Sequence, residues 1–171
     1  MRAGRRLTLV SAGITAAGTV AGLLATHSSR LAVEETFGAS LYALSFEPTF
    51  WGILRNNLVV FVTTLAGFGV LTVANLFLTG VPLGIELVHS DHVWLILPHG
   101  VVEFAALWTA GAAGLRIPYD VSRYFRRETD EVLTADGARM VLRYAAISLA
   151  LFVVAAAVEV TVTRHLATAV S

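Results

Sequence analysis

Three ionisable residues lie inside apolar stretches of the sequence, where such side chains are costly to bury. His99 and Glu103 are four residues apart and would share one face of a helix, and Glu159 lies near the end of another apolar run. Ionisable side chains at membrane depth usually face the interior of a helical bundle. One interpretation is that the three converge on one intramembrane polar site that binds a metal ion, relays a proton or binds a polar ligand. The other, which we favour, is that they are hydrogen-bonded contacts that fix helix packing.

The neighbours of these residues on a helical projection are mostly small. The stripe of His99 and Glu103 continues through Ala106, Ala110 and Gly114, and the stripe of Glu159 includes Ser148, Phe152, Ala155 and Thr163. A polar pair followed by small residues is typical of a closely packed seam between helices. Asn75 projects onto a stripe with Thr64, Phe68 and Leu71, and we expect it to be a packing contact.

No complete catalytic motif is present in the sequence. There is no His-Glu-x-x-His zinc motif, no Gly-x-Ser-x-Gly elbow, no Gly-rich phosphate loop and no cysteine. His99 and Glu103 supply two ligands where catalytic zinc usually has three protein ligands, and Glu159 as the third is only a hypothesis. His89 and His92 form a second candidate metal site or part of a solvated loop. We expect a protein without enzymatic activity, metal or cofactor, with a metal-dependent membrane hydrolase as the least favoured alternative.

The composition is that of an integral membrane protein. Hydrophobic residues make up 56% of the 171 residues and charged residues only 14%, against about 25% charged in soluble domains. The composition and length predict a single all-α domain, a polytopic transmembrane helical bundle surrounded by the lipid bilayer. The net charge is zero, which gives no reason to expect a nucleic-acid partner.

The apolar runs define the candidate membrane segments, since a helix needs roughly 20 residues to cross the hydrocarbon core. The first is expected to be a retained anchor rather than a cleaved signal peptide, and its Gly18 and Gly22 form a small-xxx-small packing pattern. A third segment is expected to be short and broken around Val81, Pro82 and Gly84. The expected segments are 7–26, 58–78, 80–92, 93–115 and 144–163.

The arginines decide between alternative topologies. Five segments with a cytoplasmic N-terminus place nine of the 12 arginines inside the cell and three outside. Four spans place four arginines inside the cell if the N-terminus is cytoplasmic, and eight inside if the N-terminus is outside. The positive-inside rule therefore favours five segments in the cell membrane and keeps four spans as the alternative. Residues 27–57 would form an extracytoplasmic loop with a short interfacial helix around Phe50 and Trp51, or a compact loop, and residues 116–143 a charged cytoplasmic loop.

A series of motifs over about residues 50–163 resembles the stage II sporulation protein M family. Paired asparagines open a glycine-rich helix, a Pro-His-Gly-x-x-Glu motif follows, then Gly-x-x-Gly-Leu, and finally a Glu with a Thr four residues later. The residues that carry the resemblance are Asn56, Asn57, Asn75, Pro98, His99, Gly100, Glu103, Gly111, Gly114 and Glu159. The resemblance implies a multi-pass protein of about five helices. It also implies a scaffold, since sporulation members look like scaffolds that localise a peptidoglycan-degrading machine.

Two functions follow as expectations. The leading one is a non-enzymatic scaffold that recruits or localises membrane or extracytoplasmic partner proteins. The other is a small transporter or channel, with a homo-oligomer as an open alternative, in which His99, Glu103 and Glu159 line the path. A hydrated cavity at these residues would favour the second function, and dry contact between helices would favour a purely structural role.

Overall fold

The fold of the described residues is all-α, as expected. The computed structural model describes residues 2–28, 49–89 and 97–163, and this part of the chain contains helices and turns but no strand. The helices are α1 (Arg2–Ser28), α2 (Phe50–Leu65), α3 (Val70–His89), α4 (Leu97–Gly114), α5 (Arg116–Phe125) and α6 (Ala135–Val158), which continues into a π-helical turn (Glu159–Thr163). Within these residues, three stretches are long and apolar enough to cross a membrane: Ala3–Thr26, Val70–Val88 and Ala135–Val162. The 16 residues of α2 are about 24 Å long, less than the roughly 30 Å hydrocarbon core.

The five long helices pass alternately up and down the bundle. Gly4 at the start of α1 packs against Tyr144 in α6, and Gly69 in the turn between α2 and α3 packs against Pro118 in α5. These contacts place the start of α1, the α2–α3 turn, α5 and the start of α6 at one end, which we call the arginine-rich end after the six arginines of residues 116–143. The starts of α2 and α4 and the end of α6 lie at the opposite end, which we call the polar end.

Helices α1 and α3 run parallel in close contact through glycines. A Cβ atom on Gly18 or Gly22 of α1 would collide with a backbone carbonyl of α3, and one on Gly80 or Gly84 of α3 would collide with a backbone carbonyl of α1. The two backbones can approach this closely because no side chain separates them. The small-xxx-small pattern of α1 therefore forms the seam that holds α3 in place.

Helices α4 and α6 form the second close pair. Ala106 and Phe152 belong to the central apolar cluster with Leu76 and Leu107. The hydroxyl of Ser148 in α6 donates to the backbone carbonyl of Ala106 in α4 at 2.8 Å. The described members of the two expected stripes, Ala106 and Ala110 on α4 and Ser148, Phe152 and Ala155 on α6, thus face the interior of the bundle.

The main departure from the expected segments is the position of the helix break. The chain turns at residues 66–69, where Phe68 and Gly69 have φ values of 45° and 92°, whereas Pro82 lies inside α3. Gly69 tolerates this left-handed conformation, and proline inside a helix is tolerated where neighbouring helices satisfy the freed backbone groups. The expected second and third segments are therefore regrouped as α2 and α3. The expected stripe of Asn75 is wrong where it crosses this turn, because Thr64 lies in α2 and Phe68 in the turn, whereas Leu71 lies one helical turn before Asn75 in α3.

The two expected loops also differ from the described structure. Residues 50–57 form the first turns of α2 rather than a separate interfacial helix, and residues 29–48 lie outside the described residues. The charged stretch 116–143 contains α5, and α6 begins at Ala135 rather than near Tyr144. The hydroxyl of Thr134 caps this earlier start by accepting from the backbone N–H of Gly137 at 3.0 Å.

Candidate functional site

His99, Glu103 and Glu159 line one cavity at the polar end of the bundle. The cavity has a volume of about 660 Å³ and lies between α2, α3, α4 and α6. Its polar lining residues are Asn56, Asn57, Asn75, Thr79, Glu86, His99, Glu103 and Glu159. The structure therefore brings together the three ionisable residues and the three asparagines that the sequence singled out.

Helix α4 presents His99 and Glu103 to the cavity from one face, one turn apart. The side-chain amide of Asn57 in α2 donates to Oε1 of Glu103 at 3.1 Å. Asn57 is 4% exposed, whereas Glu103 is only half-buried and also lines the cavity. This bond ties the first half of α2 to the first half of α4, and it directly links two separate motifs of the sequence.

Glu159 reaches the same cavity from the end of α6. It interacts electrostatically with both His99 and Glu103. The helix changes from α to π geometry at this residue. Short π-helical turns are uncommon and occur frequently at functional sites. The last glutamate of the sequence thus lies at a local irregularity of the backbone beside the other two site residues.

Helix α3 forms one wall of the cavity, and of its polar residues only Asn75 was identified from the sequence. Asn75, Thr79, Pro82 and Glu86 line the cavity at spacings of four, three and four residues. Thr79 and Glu86 were not singled out as site residues, although their helical spacing from Asn75 would have placed them on its face. The amide of Asn75 also lies 3.3 Å from the backbone oxygen of Val60, so it connects α3 to α2 near the bottom of the cavity.

The cavity combines acidic groups with apolar walls. Among the described residues that line it there are three carboxylates, one imidazole and no arginine. Its apolar lining residues are Ile53, Val60, Leu78, Leu83, Phe104, Leu107 and Phe152. Pockets that bind small molecules are usually lined in this way, mainly by apolar side chains with a few polar groups that fix orientation.

Close packing fills the bundle between the cavity and the arginine-rich end. Ala110, Ala112 and Ala113 of α4 are fully or almost fully buried. A Cβ on Gly111 would lie 2.7 Å from the hydroxyl of Ser11, and one on Gly114 would collide with the backbone carbonyl of Thr64. Within the described part of the chain, the lining therefore ends near the middle of the bundle, and the small residues of the Gly-x-x-Gly motif pack tightly below it.

The described residues do not form a compact metal site. No group of three His, Asp or Glu side chains among them lies close enough to hold one metal ion. The second candidate site, His89 with His92, lies outside the described side chains. The three carboxylates of the cavity come from different elements, Glu86 from α3, Glu103 from α4 and Glu159 from the end of α6.

Comparison with known proteins identifies the family of the chain. The sequence profile of the family described as stage II sporulation protein M matches residues 11–164. The chain belongs to the stage II sporulation protein M family. It is also similar to an uncharacterized protein of Methanocaldococcus jannaschii, with 36% identity over 141 residues that cover 75% of this chain and 79% of the relative. No solved structure matches the chain. The range matched by the family profile contains every cavity-lining residue.

Proposed function

We propose that this member of the stage II sporulation protein M family is a non-enzymatic membrane protein that recruits partner proteins, and that it recognises them through the cavity at its polar end. The observation that carries the proposal is that the cavity of about 660 Å³ lined by His99, Glu103 and Glu159, which by itself would suit a transporter as well, ends against closely packed residues of the described helices. Ionisable groups that served only as packing contacts would be expected in dry contact between helices. Groups that face a cavity are available to a ligand.

The shape of the cavity supports binding rather than conduction. The small residues of α4 pack tightly against α1 and α2 between the cavity and the arginine-rich end, with Ala110 and Ala112 completely buried. An open channel would need polar or hydrated space through this layer. A pocket that extends only part of the way through the bundle is the form expected of a recognition site.

The proposal includes an orientation in the cell membrane. The arginine-rich end would face the cytoplasm, because positively charged residues favour that side. The N-terminus would then be cytoplasmic and the polar end would face the outside. A partner would reach the cavity from the extracytoplasmic side, where proteins of the cell envelope are available.

Site-specific photo-crosslinking in membranes tests the proposal. A photoreactive amino acid would replace Ile53 or Leu83, which line the cavity, and in matched controls Leu71 or Val101, which are both 65% exposed on the outer surface. We expect a discrete protein adduct from the two cavity positions that is absent from the two outer positions. The experiment uses the full chain in cells that naturally contain it.

The adduct should also depend on the acidic lining. Exchanging Glu103 and Glu159 together for glutamine should remove it, while the same exchange of the exposed Glu131 should not. Adducts to lipid alone at every position would contradict the proposal. Identical protein adducts at cavity and outer positions would also contradict it.

A small transporter is the second candidate, favoured by the position of ionisable side chains around a cavity inside the bundle. Alternating access would require the packed layer around Gly111 and Gly114 to open. Flux through liposomes containing the purified protein, abolished by Glu103→Gln, would support this candidate. If the liposomes show no flux of cations or protons and the cross-linking experiment yields a partner adduct, recruitment is favoured over transport.

A further inference from the structure

We infer that the cavity binds an organic cation: a protonated amine or a guanidinium group carried by an apolar body. The inference rests on the proposed function, because the cavity is the same recognition site, and it adds the chemical class of the ligand. The observations that carry it are the charge balance of the described lining, the origin of its carboxylates on different helices and the nature of its walls.

The charge balance of the described lining favours a positive ligand. Glu86 approaches the cavity from α3, Glu103 from α4 and Glu159 from the end of α6. His99 provides the only imidazole among the described lining residues, and no arginine lines the cavity in this part of the chain. Carboxylates in a partly desolvated setting interact strongly with a cationic donor, because charge-assisted hydrogen bonds are about twice as strong as neutral ones.

The arrangement of the described carboxylates, each on a different element, favours an organic cation over a bare metal ion. Calcium and magnesium ions need several oxygen ligands converging within about 2.0–2.6 Å of one point. No three acidic or imidazole side chains of the described residues meet this condition. An ammonium or guanidinium group distributes several N–H donors over a larger surface and can contact carboxylates that lie on different helices.

The walls and size of the cavity favour a ligand with an apolar body. Leu83, Phe104 and Phe152 line it together with other apolar side chains. A volume of about 660 Å³ is far larger than one ammonium group and lies within the range of about 300–1,000 Å³ typical of small-molecule pockets. Aromatic rings also attract cations through their faces. An aromatic or aliphatic amine therefore matches both parts of the lining.

Two sources offer this chemistry. One is a free organic amine, and the other is the basic side chain of a partner protein that inserts into the cavity. Both present the same positive group to Glu103 and Glu159, so one experiment with two kinds of probe can separate them.

Equilibrium binding to the purified full chain in lipid nanodiscs tests the inference. The first probes are 2-phenylethylamine, its neutral analogue 2-phenylethanol and the anion 3-phenylpropanoate, with empty nanodiscs as the background. We expect the amine to bind at least about tenfold more tightly than the neutral or anionic probe, the size of one charge-assisted hydrogen bond. The second probes are capped tetrapeptides Ala-Lys-Phe-Ala and Ala-Gln-Phe-Ala, of which we expect the lysine peptide to bind more tightly.

Isosteric variants assign the binding to the cavity. Glu103→Gln and Glu159→Gln should each weaken binding of the cation by about tenfold or more, whereas Glu131→Gln, which removes one charge at the opposite end, should leave it unchanged. The glutamine at position 103 keeps an acceptor for Asn57. If one variant fails to fold, the other gives the same test.

The outcomes separate the inference from the proposed function. Binding of the amine supports a free cation as ligand, and binding of the lysine peptide alone supports a partner side chain. Equal binding of charged and neutral probes, no binding of either cationic probe, or cation binding unchanged in both glutamate variants would overturn the inference. A partner cross-linked at Ile53 without any cation preference would leave the proposed function intact, whereas cation binding without any cross-linked partner would contradict the proposed function alone.

Discussion

The contact between α1 and α3 makes opposite predictions for two glycines of the same helix. A Cβ added at Gly18 would collide with the backbone carbonyl of Phe77 in α3, whereas a Cβ added at Gly13 meets no atom within 4 Å. We therefore expect Gly18→Ala to destabilise the protein and Gly13→Ala to leave it unchanged or slightly more stable. The pair forms a matched comparison because both substitutions add one methyl group to α1.

Two contributions determine how much each substitution changes the free energy of unfolding. Alanine is favoured over glycine inside a helix by about 0.8–1.0 kcal/mol, and this contribution is the same at both positions. Overpacking costs about 1–3 kcal/mol, and only Gly18→Ala causes it. The collision is with backbone, which cannot rotate away as a side chain can, so the two helices must separate. We expect the free energies of unfolding of the two variants to differ by about 1–3 kcal/mol, with Gly13→Ala the more stable.

Reversible unfolding in mixed micelles, followed by tryptophan fluorescence, would measure this difference. The chain contains three tryptophans, and neither substitution changes one of them. Equal stability of the two variants would contradict the close packing of Gly18 in α1 against the backbone of α3. So would a larger loss at Gly13 than at Gly18, because it would place the wrong face of α1 in contact.

Two further predictions concern contacts away from the cavity. Ser148→Ala should lower the free energy of unfolding by about 0.6–1.7 kcal/mol, the size of a hydrogen bond between membrane helices. Thr109→Ala should lower it less, because the hydroxyl of Thr109 bonds only within its own helix. Comparing the unfolding free energies of the two variants checks this. Asp120→Ala should cost about 3–5 kcal/mol because it leaves Arg116 buried without its 2.9 Å partner, and replacing both residues by apolar ones should restore most of the stability in the same assay. A double variant as unstable as the single one would show that the Asp120 site tolerates no apolar packing.

The convergence of His99, Glu103 and Glu159 could be inferred from the sequence because it depends on local geometry. Helical spacing places the first two on one face, and the energetic cost of ionisable groups in lipid directs all three towards the interior. The partner of Glu103 could not be inferred in the same way. Asn57 lies 46 positions earlier in the chain, and which helix packs against which is a non-local property that periodicity does not encode.

The helix break was misplaced for a physical reason. Residues 66–69 are uncharged and apolar enough to continue a membrane run, so hydropathy alone gives no sign that the chain reverses there. Pro82 drew attention because it lacks a backbone N–H, yet it lies inside α3 and lines the cavity. Hydropathy indicates whether a segment lies in the membrane, but it does not indicate where the chain reverses its direction. Two neighbouring glycines around Phe68 were the better signal for the turn.

Two hydrogen bonds of the bundle differ in a way that supports the recognition role proposed for the polar end. Ser148 is completely buried, and its bond to Ala106 joins α6 to α4 in a closely packed region that lines no part of the cavity. Glu103 also joins two helices through Asn57, but the residue is half-buried and lines the cavity. Placing a glutamate at membrane depth costs more free energy than placing a serine there, although Ser148 also makes a contact between helices. The added cost is understandable if the negative charge serves a ligand as well as the fold.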